Sequence, residues 1–311
     1  VGSAGSGRPG GDATARGRQA RCGDRGPGPL ALSAILTAVI ELADSHGHLT
    51  MVFPGPEARW PTRAATDAEV AAQVARARDA GVTRILVPAT TLADAPMAVE
   101  VAERHDGVYA AVGVHPHETT GFDEDRVVSA LERLASSSKV VAIGEIGLDY
   151  FYDLAPKDDQ KRALVAQLAL AERLGKPVLL HNRESEEDML PILEAHAKGS
   201  PERPRGVFHS FCASTATGEK AIALGYFLSY SGMITFRMAD NVRASAAVLP
   251  LESMLVETDA PYLAPAPFRG KPNEPAFVTR TAAKLAEVKG VTPEEVGRVT
   301  TAGFRRLFGT P

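Results

Sequence analysis

From about residue 38 to the C-terminus, short apolar and β-branched runs alternate with amphipathic stretches at helical spacing. The runs are Val39-Ile40-Glu41-Leu42-Ala43, Arg84-Ile85-Leu86-Val87, Val108 to Val114, Val140-Val141-Ala142-Ile143, Pro177-Val178-Leu179-Leu180, Gly206-Val207-Phe208, Tyr226-Phe227-Leu228-Ser229 and Met254-Leu255-Val256. Helices are expected over Thr66 to Gly81, Ala93 to His105, Glu124 to Ser136, Lys157 to Leu174, Glu184 to Ala197 and Thr215 to Leu224. A short one follows from Ala239, and two more cover Glu274 to Val288 and Pro293 to Phe308. In the first helix Thr66 and Glu69 have capping-box spacing, Val70, Val74 and Ala77 form the apolar stripe, and Gly81 sits where a helix stops. Eight strands alternating with helices imply a parallel sheet, and eight strands close a TIM-type (β/α)8 barrel. An open doubly wound sheet would not bring the ends of strands one, four, five, six and eight together, and the candidate chemistry lies at those ends.

Composition adds boundaries. The first thirty residues hold five arginines against two aspartates, are crowded with Gly and Pro, and lack apolar periodicity. They read as a disordered basic tail (1–30) ahead of a single barrel domain (38–311). A cleaved secretory leader ending near Val39 is the competing reading, but cleavage there would remove part of the first core strand. Two cysteines form no disulfide framework, no apolar run is long enough to span a bilayer, and the expectation is a cytoplasmic monomer. A net charge of −4 gives no global attraction to nucleic acid, so a polyanion would have to be held locally. No Gly-x-Gly-x-x-Gly turn follows a strand, which argues against a dinucleotide cofactor.

Six of the eight histidines fall at the ends of the apolar runs, beside well-placed carboxylates. His46 and His48 are two apart, so an extended chain turns both rings to one side. Glu145 ends the fourth run between Gly144 and Gly147, glycines that would leave room around the carboxylate for a ligand. His181 and His209 end the fifth and sixth runs, and Glu257 and Asp259 alternate onto one face after the eighth. Four imidazoles with two or three carboxylates at one barrel mouth would hold two divalent cations. Asp44, just upstream, would either fix an imidazole tautomer or form the strand's exit turn. His115 and His117 are open between metal ligation, substrate contact and packing. Asp149 and Tyr150, with Phe151 and Tyr152, lie beyond the fourth strand and could stack a base or cover the rim. Arg183 is placed to meet a phosphate or carboxylate, and Arg269 and Lys271 lie in a loop suited to an anionic oxygen.

Asp44-Ser45-His46-Gly47-His48, Gly113-Val114-His115-Pro116-His117, Gly144-Glu145-Ile146-Gly147-Leu148-Asp149-Tyr150, His181-Asn182-Arg183, His209-Ser210-Phe211, Glu257-Thr258-Asp259-Ala260-Pro261-Tyr262-Leu263 and Arg269 to Pro275 follow one another in order. In this the chain resembles the TatD family of metal-dependent deoxyribonucleases over about residues 40 to 310. The resemblance implies a TIM-type barrel, two divalent ions (magnesium or manganese, with zinc the imidazole-favoured alternative) and phosphodiester cleavage. One ion would be held by His46, His48 and Asp259 and the other by His181 and His209, with Glu145 bridging. Asp259 or Glu257 would take the proton of the attacking water. His115, His117, Asp149, Tyr150, Arg183, Phe211, Arg269 and Lys271 would meet the substrate, expected to be a single-stranded DNA end cut by a 3′-5′ exonuclease. The rival is a metal-dependent hydrolase of a small ester, lactone or amide on the same barrel. The basic tail and the loop from Met51 to Ala65, with three prolines and Trp60, depart from the family pattern. That loop is expected to overhang the mouth.

Overall fold

The computed structural model describes residues 40–53, 63–197 and 204–310. The basic tail, Cys22, Trp60 and the middle of the Met51–Ala65 loop lie outside the described residues.

In chain order the elements begin with β1 (Leu42–Asp44), the two-stranded antiparallel ribbon β2 (Met51–Val52) and β3 (Arg63–Ala64), then α1 (Asp67–Asp79) and β4 (Val82–Pro88). They continue with α2 (Ala95–Arg104), β5 (Val108–Val112), α3 (Glu124–Leu134), β6 (Val140–Asp149) and α4 (Lys157–Leu174). Next come β7 (Val178–Arg183), α5 (Glu186–His196), β8 (Gly206–Phe208), α6 (Thr215–Ala223) and β9 (Tyr226–Tyr230). The last are α7 (Asp240–Val248), β10 (Met254–Val256), α8 (Val278–Lys289) and α9 (Pro293–Phe308). β1 and β4 to β10 form one parallel sheet in sequence order. It closes beyond the strand ends, where Ser45 N donates to Val256 O (3.1 Å), Asp259 N to His46 O (2.8 Å) and His48 N to Ala260 O (2.7 Å). The fold is the TIM barrel.

Side-chain alternation explains what fills it. One residue from each sheet strand (Ala43, Leu86, Ala111, Ala142, Leu179, Val207, Phe227 and Leu255) joins a single buried cluster inside the barrel. Phe304, Leu307 and Phe308 of α9 complete this cluster. Phe304 meets Tyr109 near the start of β5, and Gly303 lies against Met254 at the start of β10. Helix α9 therefore closes the end at which the strands begin. Burial of one such side chain is worth roughly 1.5–3 kcal/mol. Two residues on from Leu179, Val207 and Leu255, period two puts His181, His209 and Glu257 on the same inner side, one layer toward the opposite end.

Local signals formed as their chemistry dictates. Thr66 caps α1 in a complete capping box with Glu69, and Gly175, Gly290 and Gly309 end α4, α8 and α9 with left-handed backbone. Several boundaries differ from the sequence reading, among them those of β1, β5 and β6. Val39 is undescribed and Ile40–Glu41 precede β1 rather than forming it; β5 stops at Val112; and β6 runs on to Asp149, so Glu145 lies inside a strand. The glycines beside Glu145 explain the last difference. A Cβ on Gly144 would stand 2.5 Å from Leu179 Cβ, and one on Gly147 would stand 1.9 Å from His181 O. The room they leave is filled by β7, not by a ligand.

Candidate metal centre

Glu145 is 3% exposed and its two oxygens face different imidazoles. Oε2 lies 3.3 Å from His46 Nε2 and 3.9 Å from His48 Nε2. Oε1 lies 3.0 Å from His209 Nε2, 3.1 Å from His181 Nδ1 and 3.4 Å from His115 Nε2. Asp259 closes the first group, its Oδ1 3.7 Å from His46 Nε2 and 3.6 Å from His48 Nε2. It holds left-handed backbone (φ 56°), a conformation Asp tolerates better than most side chains.

Electrostatics within this cluster follow from burial and proximity. Burial opposes ionisation of Glu145, but His209, His46 and His115 outweigh it and hold the carboxyl well below the usual carboxylate range. Burial likewise opposes charge on His209, and Glu145 and Glu257 outweigh it, raising His209 well above the ordinary imidazole range. Burial dominates at His46, which is lowered, and at His115, lowered to about 4.

These residues fit divalent cations. His46 Nε2 and His48 Nε2 stand 3.0 Å apart, and His181 Nδ1 and His209 Nε2 stand 3.1 Å apart. Two lone pairs cannot face each other at that separation unless a proton or a cation lies between them. The ligand atoms of His46, His48 and Asp259 lie within 4.8 Å of one another, and so do those of His46, Glu145 and His209. A third such group, His115, His117 and His181, adjoins them. Imidazole nitrogens with carboxylate oxygens are the donors that zinc, manganese and related ions accept.

Behind the rings stand the groups that orient them. Asp149, fully buried, accepts from His117 Nε2 (2.9 Å) and His181 Nε2 (3.0 Å) through Oδ2. Burial raises its pKa, but His117 and His181 prevail and hold its carboxyl far below the usual range. It is the last residue of β6, not part of the loop beyond it, and no ligand in the cavity can touch it. Glu257 is also fully buried; its Oε1 lies 3.4 Å from His209 Nδ1 and accepts from Ser210 N (2.8 Å). The expectation that Glu257 shares a face with Asp259 fails because the left-handed turn at Asp259 breaks the period-two alternation. Asp44 accepts from Thr258 N (2.9 Å), Thr258 Oγ1 (2.6 Å) and His46 N (3.3 Å), and burial pushes its carboxyl up to about 8. It staples the exit turns of β1 and β10 together and reaches no imidazole ring.

The cluster forms the floor of a cavity of about 910 Å³. Its walls include His117, Arg183, Arg269 and Lys271, with Met51 and Phe53 from the ribbon side. The guanidinium of Arg269 is held over Phe236 at 3.5 Å and donates to Ala264 O. Besides Asp149, two expected substrate contacts are not on these walls. Phe211 is 4% exposed and packs against Phe208 and Tyr230, and the Tyr150 hydroxyl donates to Asp188 (2.6 Å) while Lys157 covers its ring.

The family model described as TatD related DNase matches residues 43–309. The chain belongs to the TatD family. An uncharacterized metal-dependent hydrolase of Bacillus subtilis is 36% identical over 242 residues, 78% of this chain and 93% of that protein. A Pantoea ananatis member, named a 3'-5' ssDNA/RNA exonuclease, is 36% identical over 242 residues, covering 76% of this chain and 92% of that protein. Among solved structures, the TatD homologue YjjV of Escherichia coli superposes with a TM-score of 0.77 at 33% identity, over 88% of this chain and all of that one. This TatD-family chain is accordingly a metal-dependent hydrolase, and among the described residues no helix is long and apolar enough to cross a membrane.

Two TatD-chain residues of consequence escaped the sequence reading. Gln167 of α4 accepts from Val114 N (2.8 Å) and donates to Val114 O (3.2 Å), fixing the turn that carries His115 and His117. Gln160 does the same for Asp149, at 2.8 and 3.1 Å. A signal existed: both occupy the apolar stripe of α4 with Leu164 and Ala171, where a polar side chain needs a partner.

Proposed function

We propose that this enzyme cleaves phosphodiester bonds of nucleic acid, acting from the 3′ end of single-stranded DNA. One observation carries the reading: a carboxylate with each oxygen turned to a different set of imidazoles lies under a cavity walled by Arg183, Arg269 and Lys271. His46, His48 and Asp259 would hold one divalent ion, His181 and His209 the other, and Glu145 both. When bound, such ions supply Lewis acidity, lowering the pKa of water and offsetting charge on phosphate oxygens.

The chain's own residues do the rest. Asp259 is 14% exposed at its side chain against 3% for Glu145, so of the two it is the more open to cavity water. Its carboxyl, raised by burial but lowered more strongly by His48, His46 and His209, stays ionised and can take the proton as water attacks phosphorus. Glu257 cannot, because it stands behind His209. Arg183 and Lys271 meet the non-bridging oxygens, and the bond from phosphorus to the departing 3′ oxygen breaks. Polarity and substrate are supported by the name of the Pantoea relative.

The test is cleavage of end-labelled single-stranded DNA by the full chain, stripped of metal and reloaded with Mg²⁺, Mn²⁺ or Zn²⁺. A ladder receding from the 3′ end, absent in Glu145→Gln, is expected. Metal uptake without DNA cleavage, together with hydrolysis of a small ester, lactone or amide, would overturn the reading.

A further inference from the structure

We propose that Phe151 and Tyr152, with Arg183 packed across them, form a stacking platform for the nucleobase beside the scissile phosphate. This rests on the phosphodiesterase reading above.

Among the described residues, three exposed large hydrophobic side chains fall within five positions after β6: Phe151 at 50%, Tyr152 at 42% and Leu154 at 60%. Tyr152 and Leu154 line the cavity with Arg183, and Phe151 adjoins them, its ring edge to face with Tyr152 at 4.9 Å between centroids. Apolar surface left in water gains by being covered, and a base has the flat apolar face to cover it. The Arg183 guanidinium lies 4.2 Å from the Phe151 ring centroid and 5.2 Å from that of Tyr152. One side chain thus offers charge to a phosphate and a planar face to a base.

The platform is fixed relative to the ion cluster. Phe151 N and Tyr152 N donate to Asp149 Oδ1 at 3.0 and 2.9 Å, while Oδ2 of the same carboxylate holds His117 and His181. The His117 ring meets Tyr152 edge to face with centroids 5.6 Å apart. One buried carboxylate therefore sets both the rim and two site imidazoles. A base stacked on that rim keeps its phosphate over the floor, and only an unpaired base can reach it. The platform would therefore select single-stranded ends.

The experiment compares two short single strands with phosphorothioate linkages, one ending in a normal 3′ nucleotide and one in an abasic residue. Binding to the full chain in Mg²⁺ is read by fluorescence anisotropy, for wild type and for the double variant Phe151→Leu/Tyr152→Leu. Leucine keeps apolar bulk but removes the aromatic faces, and the ratio within each protein is insensitive to an inactive fraction. Wild type should prefer the base-bearing strand about tenfold, and the variant should lose most of that preference. A preference that survives in the variant overturns the platform. Wild type that binds both ends equally overturns it too, while cleavage of the matching unmodified strand leaves the phosphodiesterase reading intact. Wild type that binds neither strand and leaves the unmodified strand uncut removes both.

Discussion

An amide in place of Glu145 would keep the side chain's shape but lose one of the two acceptors that face opposite imidazole groups. Glu145→Gln is expected to lower bound metal and to reduce turnover by more than about 100-fold, the upper end of what a partner one bond farther from an ion contributes. Metal content by atomic emission and single-turnover cleavage check it together. Proton linkage gives a second expectation. His209 and His181 are both raised: burial opposes their charge, but Glu145 outweighs it at His209, and Asp149 with Glu145 outweighs it at His181. A raised imidazole keeps its proton until the pH climbs through its folded value, so a cation must displace protons near neutrality. Affinity should therefore rise with pH above the ordinary imidazole value, with proton release visible by calorimetry in buffers of different ionisation enthalpy. His46, His48, His181 and His209 were legible as a group because a His at the end of an apolar run is unusual. The separate placements of Glu257 and Asp259 were not, because the left-handed backbone at Asp259 itself undoes the alternation.

Helix α4 sets the geometry of two strand ends without touching a ligand. Gln167→Leu removes both partners of the Val114 peptide group and leaves its N–H and C=O buried, at a cost of about 1–3 kcal/mol for each unsatisfied group. Denaturant unfolding should show that loss, and kcat should fall as His115 and His117 shift. At β6, Gly147→Ala would push a Cβ into the His181 carbonyl from a backbone with φ 153°, and a loss of about 3 kcal/mol or more is expected. Helix spans, caps and strand order could be read from the sequence because each is set within a few residues. Where β6 ends could not, since the strand is carried past Glu145 by the pairing of Ile146 to Asp149 with Leu180 to Arg183 of β7, more than thirty residues away.

Across the whole molecule, an acidic chain that holds a polyanion must do so with few cations. With Arg183, Arg269 and Lys271 as the phosphate contacts, log Kd for single-stranded DNA should change with log salt with a slope of about 2. A much steeper slope would point to further basic surface engaged along the strand. Chelation should abolish activity and lower Tm, because a ligand at 100 times its Kd stabilises the folded state by about 2.7 kcal/mol. Thermal unfolding with and without chelator measures it.

What the sequence determined by itself was the alternation of strands and helices, the count that closes a barrel, and the ring of histidines at its mouth. These depend on local periodicity and on residue types that have few uses. The motif order added the family. Only the tertiary structure decided which carboxylate meets the cavity, that Asp149 serves two imidazoles and a loop at once, and that Tyr150 and Phe211 turn away from the substrate side. Those outcomes depend on contacts between segments far apart in the chain, where small changes in backbone direction determine which face a side chain joins.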